Sequence, residues 1–353
     1  MIRAAPYATA RGNVPRVMLT VVAALIPATL FGFWLFGWPA VHLWWITLAF
    51  AALGEAFCLR LAGRAAWPVL KDGSALLTGW LLALSLPPWA PWWIGALGGL
   101  FATVLGKQVF GGLGQNLFNP AMVARVALLI SFPLQMTAWV APLPLGEMAA
   151  PGFIDGLRIT LGGMPAHYDA ITSASVLGHA KTELSRGADL LNAMNAADAP
   201  ANHAGGLRAG SLGETSGLLI AAGGLALIAL GVIGWQIPLA MLAAIAQPAA
   251  IAHGLDPGRH LGALDHLLGG GALLGAFFIA TDYVTSPNTA AGRLVFGVGC
   301  GLLTWVIRSW GGYPEGVAFA VMLMNALTPV IDRYLKPRVY GRDRRGRALE
   351  IPS

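Results

Sequence analysis

Apolar residues run along this chain in long blocks separated by short polar stretches. A helix that crosses a bilayer needs roughly 20 mostly apolar residues, fewer where it is well packed. Ten segments meet that expectation: 17–37, 40–59, 74–88, 92–106, 119–136, 214–233, 236–253, 266–281, 290–307 and 316–332. The third and fourth are short and bounded by Pro87, Pro88 and Pro91, as in a tightly packed or partly re-entrant pair. Between the fifth and sixth blocks the pattern changes, and Pro, Asn, Asp, His and Gly replace the aliphatic runs over 137–213. The predicted organisation is an all-α polytopic membrane protein of about ten transmembrane helices. A first helix group (1–136) precedes one long loop (137–213), a second group (214–332) and a basic tail (333–353). A loop that long inside a compact domain is usually functional.

Composition agrees. Of 353 residues, 56% are hydrophobic and 11% charged, with a mean hydropathy of +0.66. A soluble domain carries about a quarter charged residues, so a globular cytosolic enzyme is excluded. The 46 glycines and 23 prolines lie among apolar residues, where membrane helices tolerate them. Cys58 and Cys300 sit in apolar stretches without any CxxC spacing, so neither an iron–sulfur cluster nor a zinc site is expected. Met1 to Arg16 is polar and basic with no small-residue cleavage site after it, and the run that follows reads as a first transmembrane helix rather than a signal peptide.

The net charge of +6 says less than where the charges lie. Lys and Arg are retained on the cytoplasmic side. With both termini inside, sixteen of the 22 fall on the inner face. Arg158, Lys181, Arg186, Arg208, Arg259 and Arg308 fall outside. The long loop is therefore external, and nucleic acid is not an expected partner.

Chemistry in such a chain is sought in the loop and at ionisable groups near lipid. The loop contains Asp169-Ala170-Ile171-Thr172-Ser173-Ala174-Ser175, an acid three residues before a hydroxyl-rich run. Most such strings only cap helices or close turns. Glu55 lies mid-span, Asp72 opens the third span, Glu214 with Thr215 opens the sixth, and Asp282 closes the eighth. Glu55 and Asp282 are candidates for an ion pathway. Glu214 and Asp72 suit a helix N-terminus electrostatically, Asp282 does not, and Glu55 suits pairing with a neighbouring subunit. Asn119-Pro120 and Ser286-Pro287 break helices at the inner border, as two ordinary interhelical turns or as places where freed carbonyls can coordinate a ligand. They also read as a weak internal echo. Arg125 is placed to hold a phosphate or to snorkel. Trp38, Trp44, Trp45, Trp89, Trp92 and Trp93 read as an interfacial belt.

Five strings in order add a family resemblance: DGSALLTGWLLALSLPP (72–88), GQNLFNPAMVARV (114–126), GSLGETSGLL (210–219), GAFFIATDYVTSP (275–287) and GGYPEGVAFAVMLMNALTPVIDR (311–333). Over nearly its whole length the chain resembles the D subunits of Rnf (Rsx) ion-translocating electron-transport complexes, relatives of the B subunit of the sodium-pumping NADH:quinone reductase. The resemblance implies FMN joined by a phosphoester to a hydroxyl in a D-x-x-[S/T]-G-A-[T/S] pattern. Here Asp169, Thr172, Ala174 and Ser175 take its positions, with Ser175 as acceptor. Ser173 stands where glycine is usual and Ser175 where threonine is usual. Glu214, Thr215, Asn119 and Arg125 are further cofactor candidates, and a second, non-covalent riboflavin is compatible with the family.

The resemblance also implies a six-subunit complex with ferredoxin and NAD sites on partners, a flavin transferase, surrounding membrane lipid, and coupling to Na+ or H+ movement. The rival readings are a solute transporter or channel, which broken spans and buried acids also suit, and a scaffold subunit without flavin.

Overall fold

The computed structural model describes residues 13–163, 172–173, 175–190, 194, 205–313, 315–337 and 347. Its first helix, α1 (Val14–Leu61), has 48 residues, about 72 Å of helix at 1.5 Å per residue and over twice the ~30 Å hydrocarbon core. The helix breaks at Gly37, whose φ of 73° and ψ of −162° lie in a region essentially reserved for glycine. Pro39 follows with no N–H to offer. The two limbs are the predicted spans 17–37 and 40–59.

Carbonyls freed at the break find partners elsewhere. Trp34 O accepts from Leu145 N at 2.7 Å, Leu35 O from Leu143 N at 3.0 Å and Phe36 O from the Trp89 indole at 2.9 Å. Trp89 and Trp44 are therefore buried rather than part of an interfacial belt, whereas Trp45 and Trp92 are exposed.

Next come α2 (Ala66–Leu70), α3 (Ser74–Ser85), α4 (Trp92–Leu100, prolonged by a π turn to Leu105), α5 (Pro120–Ser131) and one-turn α6 (Pro133–Met136). On the outer side β1 (Trp139–Val140) pairs antiparallel with β2 (Thr172–Ser173), and α7 (Phe153–Gly162) and α8 (Val176–Ser185) follow each strand. The second group holds a 3-10 turn at Leu212–Glu214, α9 (Gly217–Ala229), α10 (Gln236–Leu255), α11 (Ala263–Leu268), α12 (Ala272–Leu274, prolonged by a π turn to Ile279), α13 (Ala290–Trp310) and α14 (Val317–Tyr334).

The structure is that of an all-α multi-pass membrane protein, and each predicted span contains helix. The boundaries differ where helices are interrupted. The 119–136 span divides at Phe132-Pro133, and 266–281 is built from three short pieces. At 12 residues each, α3 and α5 reach only about 18 Å. They do not need to reach further, because most of their residues are buried inside the protein.

Close backbone approach holds the groups together, as expected where lipid supplies no hydrophobic drive between helices. A Cβ on Gly95 would lie 2.6 Å from Thr47 Oγ1, and one on Gly99 2.7 Å from Thr47 O, so α4 sits directly on the second limb of α1. Gly297 does the same for α13 on α10, 2.8 Å from Ile237 O, and Gly301 stands closer still to Met241 O. The same small-residue spacing thus joins corresponding helices of the two groups. The echo read at Asn119-Pro120 and Ser286-Pro287 is of another kind: the first opens α5, whereas the second lies in the turn between α12 and α13.

Gly37→Ala should lower stability by about 1–3 kcal/mol, the range for one residue held in such a backbone region. Thermal unfolding of the purified protein in detergent measures this, and an unchanged midpoint would show that the break tolerates a side chain.

Candidate functional site: two buried polar networks

The polar residues buried in the bundle collect at two levels. At the inner end, Glu55 in the second limb of α1 and Lys107 after α4 have side chains only 0% and 1% exposed. Lys107 Nζ donates to both Glu55 oxygens, at 2.7 and 2.9 Å, and to Ser74 Oγ at 2.6 Å, while Gln108 Nε2 donates to Glu55 at 2.9 Å. Asp72 accepts from the Ser74 amide at 2.7 Å, the helix-start role its position suggests. Beside this pair, Asn119 caps α5 through the amides of Ala121 and Met122 and donates from Nδ2 to Asp282 at 3.4 Å. Asp282 also accepts from Val284 N and Thr285 Oγ1. Asn325 of α14 closes the group, accepting from Asn119 N at 3.1 Å and donating to Thr285 O at 3.1 Å.

These residues border a cavity of about 740 Å³, counted to its open mouth. Lys107, Ser74, Thr78, Asn116, Asn119 and Asp282 give it a polar side, and Phe277, Phe278, Leu81 and Val21 an apolar one. Asn116 Oδ1 is buried there without a hydrogen-bond partner.

At the outer end, Arg125 of α5 donates to Glu315 at 2.8 Å, and Arg308 of α13 lies 3.6 Å from the other Glu315 oxygen, which also accepts from Gly271 N. Arg308 further donates to His266 O at 2.5 Å and Gly269 O at 3.0 Å. Arg208 donates to Glu214 O at 2.9 Å and Leu268 O at 2.5 Å, and Ser211 Oγ to Glu214 Oε1 at 2.8 Å. Arg125, Glu214 and Glu315 share the lining of a small cavity, in which Arg125 keeps its Nη1 without a partner.

The loop segment with the hydroxyl string docks on this outer network. Ser175 is the N-cap of α8; its Oγ accepts from Gly178 N at 3.2 Å, and the residue is 8% exposed. A Cβ on Gly270 would lie 3.1 Å from Leu177 and closer still to Glu315 and Arg308, so the first turn of α8 sits against the Arg308–Glu315 pair. Lys181, one turn on, donates to Gly311 O at 2.5 Å, Tyr313 O at 2.6 Å and Ile307 O at 3.4 Å, closing the C-terminus of α13. Burial and the nearby Arg308 charge hold its ammonium below the ordinary lysine range. Asp169 and Ala174 lie outside the described residues, and Thr172 is placed only by its backbone pairing with Val140.

Several sequence expectations are corrected. Glu55 pairs with Lys107 of its own chain, not with a neighbouring subunit. Arg125 neither snorkels nor stands free, since Glu315 engages it. Glu214 is not a first-turn helix charge: α9 starts at Gly217 under a Ser216 cap, and Glu214 is buried in the preceding turn. Thr215 donates to Leu212 O, a local turn bond. Asp282 does have specific partners, as its unfavourable helix end implies. Sequence reasoning misses Lys107, Arg208, Arg308 and Glu315 as site residues, because the three cations look like loop charges that mark the inner and outer faces.

A multi-pass bundle with polar networks buried at both ends is the architecture of a membrane protein that handles charge. The NQR2, RnfD, RnfE family model matches residues 1–341, and the chain belongs to that family. It is 57% identical to a protein of Stutzerimonas stutzeri over 96% of this chain and 95% of the relative. It is 55% identical to one of Halorhodospira halophila over 98% and 97%, and 43% identical to one of Escherichia coli over 96% and 98%. All three relatives are named as the D subunit of an ion-translocating oxidoreductase complex.

Removing one partner of a buried ion pair strands the other charge and costs about 3–5 kcal/mol, whereas replacing both with apolar residues is often neutral. Glu55→Gln should therefore lower thermal stability strongly, and Glu55→Leu/Lys107→Met should restore most of it. A double variant no better than the single would show that the two charges act independently.

Proposed function

We propose that this chain is the D subunit of a bacterial Rnf-type complex in the inner membrane, carrying FMN covalently on Ser175. In this reading electrons pass between ferredoxin and NAD through centres on several of six subunits, coupled to Na+ or H+ movement. The ferredoxin and NAD sites lie on the partners, and a transferase attaches the flavin from outside. The relatives' shared name supports membership of an ion-translocating oxidoreductase complex.

The observation that carries the flavin assignment is the setting of Ser175. Its Oγ stands at the N-terminus of a ten-residue helix, where free N–H groups and the helix dipole favour an anion. A phosphoester there fits the donors now capped by the hydroxyl. Lys181 and Leu177 fix α8 against the outer network, so a group on Ser175 is held close to Arg308 and Glu315. Bound flavin supplies the redox chemistry. Ser175 provides its tether, α8 its position, and the string through Asp169, Thr172 and Ala174 the surface for the transferase. Ser175 is buried when α8 is docked, so attachment precedes docking or opens it.

On a denaturing gel viewed under ultraviolet light, the wild-type band from cells with the transferase should fluoresce. Ser175→Ala should be dark and Ser175→Thr should keep the signal. A dark wild-type band would remove covalent flavin and return the transporter and flavin-free scaffold readings.

The inner cavity suits a second, non-covalent flavin such as riboflavin. An apolar wall with a few polar groups is the usual lining of a small-molecule site. Asn116, with its unpartnered oxygen, offers an acceptor to the ring N–H of an isoalloxazine, with Asn119 and Asp282 lining the same cavity. Acid extraction should release flavin from wild type and clearly less from Asn116→Ala. Equal release, or none, would assign the cavity to another ligand.

A further inference from the structure

We infer that a second cavity, on the outer side between α8, α11 and the end of α13, binds a phosphate-type oxyanion. It measures about 450 Å³ to its mouth, and no carboxylate lines it among the described residues. Lys181, Arg259, His260, His266 and Arg308 do, with Ser309 beside them. His266 and Arg308 are both more than nine-tenths buried, and each keeps one nitrogen, Nδ1 and Nε, without a hydrogen-bond partner. A buried donor left unmade is expensive, so Arg308 Nε calls for an acceptor, and His266 Nδ1 offers a second donor in the tautomer that protonates it.

The charge balance points the same way. At the outer level the guanidiniums of Arg125, Arg208 and Arg308 face two carboxylates, Glu214 and Glu315, and Lys181 donates to backbone carbonyls. An uncompensated charge away from water is costly, and an anion at this cavity offsets it. From the solvent side Asp256 lies 3.7 Å from the mostly exposed Arg259, a contact worth little, and the Asp189 carboxylate stands beside Gly258, next in the chain to Arg259. The donors come from three separate elements and so converge from different sides, as the oxygens of a tetrahedral phosphate require. Ser175 does not line the cavity, and the inference is independent of the flavin assignment.

A phosphate here comes either from an anionic lipid headgroup of the outer leaflet or from free phosphate in solution. Native mass spectrometry of the full chain in a phosphorus-free maltoside detergent tests both, with phosphatidylglycerol, phosphatidylcholine and inorganic phosphate as probes. One saturating adduct is expected. Phosphatidylglycerol bound about tenfold tighter than phosphatidylcholine, a difference of ~1.4 kcal/mol, identifies the lipid source. Saturation by inorganic phosphate that blocks phosphatidylglycerol identifies the free one. Arg259→Gln/His260→Gln, which leaves the Arg308–Glu315 network in place, should weaken the adduct about tenfold or more. If wild type binds neither probe above a non-specific ladder, or the variant binds as wild type does, the inference fails.

Discussion

Backbone carbonyls that lose their helical partners inside a bilayer have no water to turn to, and this chain breaks its helices repeatedly. The breaks are closed by groups from elsewhere in the sequence. Two amides and an indole close the gap at Gly37. Arg308 takes the carbonyls of His266 and Gly269, Arg208 those of Glu214 and Leu268, and Lys181 those at the end of α13. Asn325 and Thr328 both donate to Thr285 O. Long cationic side chains do this well, since each carries several donors and a charge that favours a helix C-terminus.

Because the capping groups are charged or strongly polar, the breaks are also where the carboxylates gather. The inner network forms where α5 begins and α12 ends, and the outer one where α12 and α14 begin. The same helices connect them. Arg125 lies six residues past Asn119, the cap of α5, and Asn325 ten residues past Glu315, which stands two residues before α14. Asn119 meets Asn325 at one level and Arg125 meets Glu315 at the other. α5 and the chain from Glu315 into α14 thus take part in both networks at once.

The number and order of the spans are legible in the sequence because length and hydropathy suffice for them. Helix ends are not, since a 12-residue α3 or α5 is made possible by burial that only the assembled bundle provides. Acids such as Glu55 and Asp282 stand out against apolar surroundings, but their partners do not. Lys107, Arg208 and Arg308 sit at segment ends, where a sequence offers no distinction between a solvated loop charge and a buried cap. Arg208 and Arg308 are buried and Lys181 is engaged by carbonyls. Half of the six cations assigned to the outer face are thus structural, and so are Lys107 and Arg125 of the sixteen assigned to the inner one, Arg125 lying in the outer network. Glu315 is easily passed over because the string GGYPEGVAF reads as an ordinary turn until Arg125 and Arg308 are brought to it.

Stability alone does not account for the Glu55–Lys107 pair. Two charges removed from water recover their desolvation cost only with good geometry, and an apolar pair of similar volume commonly serves as well. The geometry here is good, with four donor contacts shared among Glu55, Lys107, Ser74 and Gln108. What an apolar pair would lack is a charge at the inner cavity, whose lining Lys107 and Ser74 share with Phe277 and Phe278. Replacing the pair would leave the bundle packed but would take the Lys107 charge out of a polar lining that Ser74, Thr78, Asn116, Asn119 and Asp282 still supply.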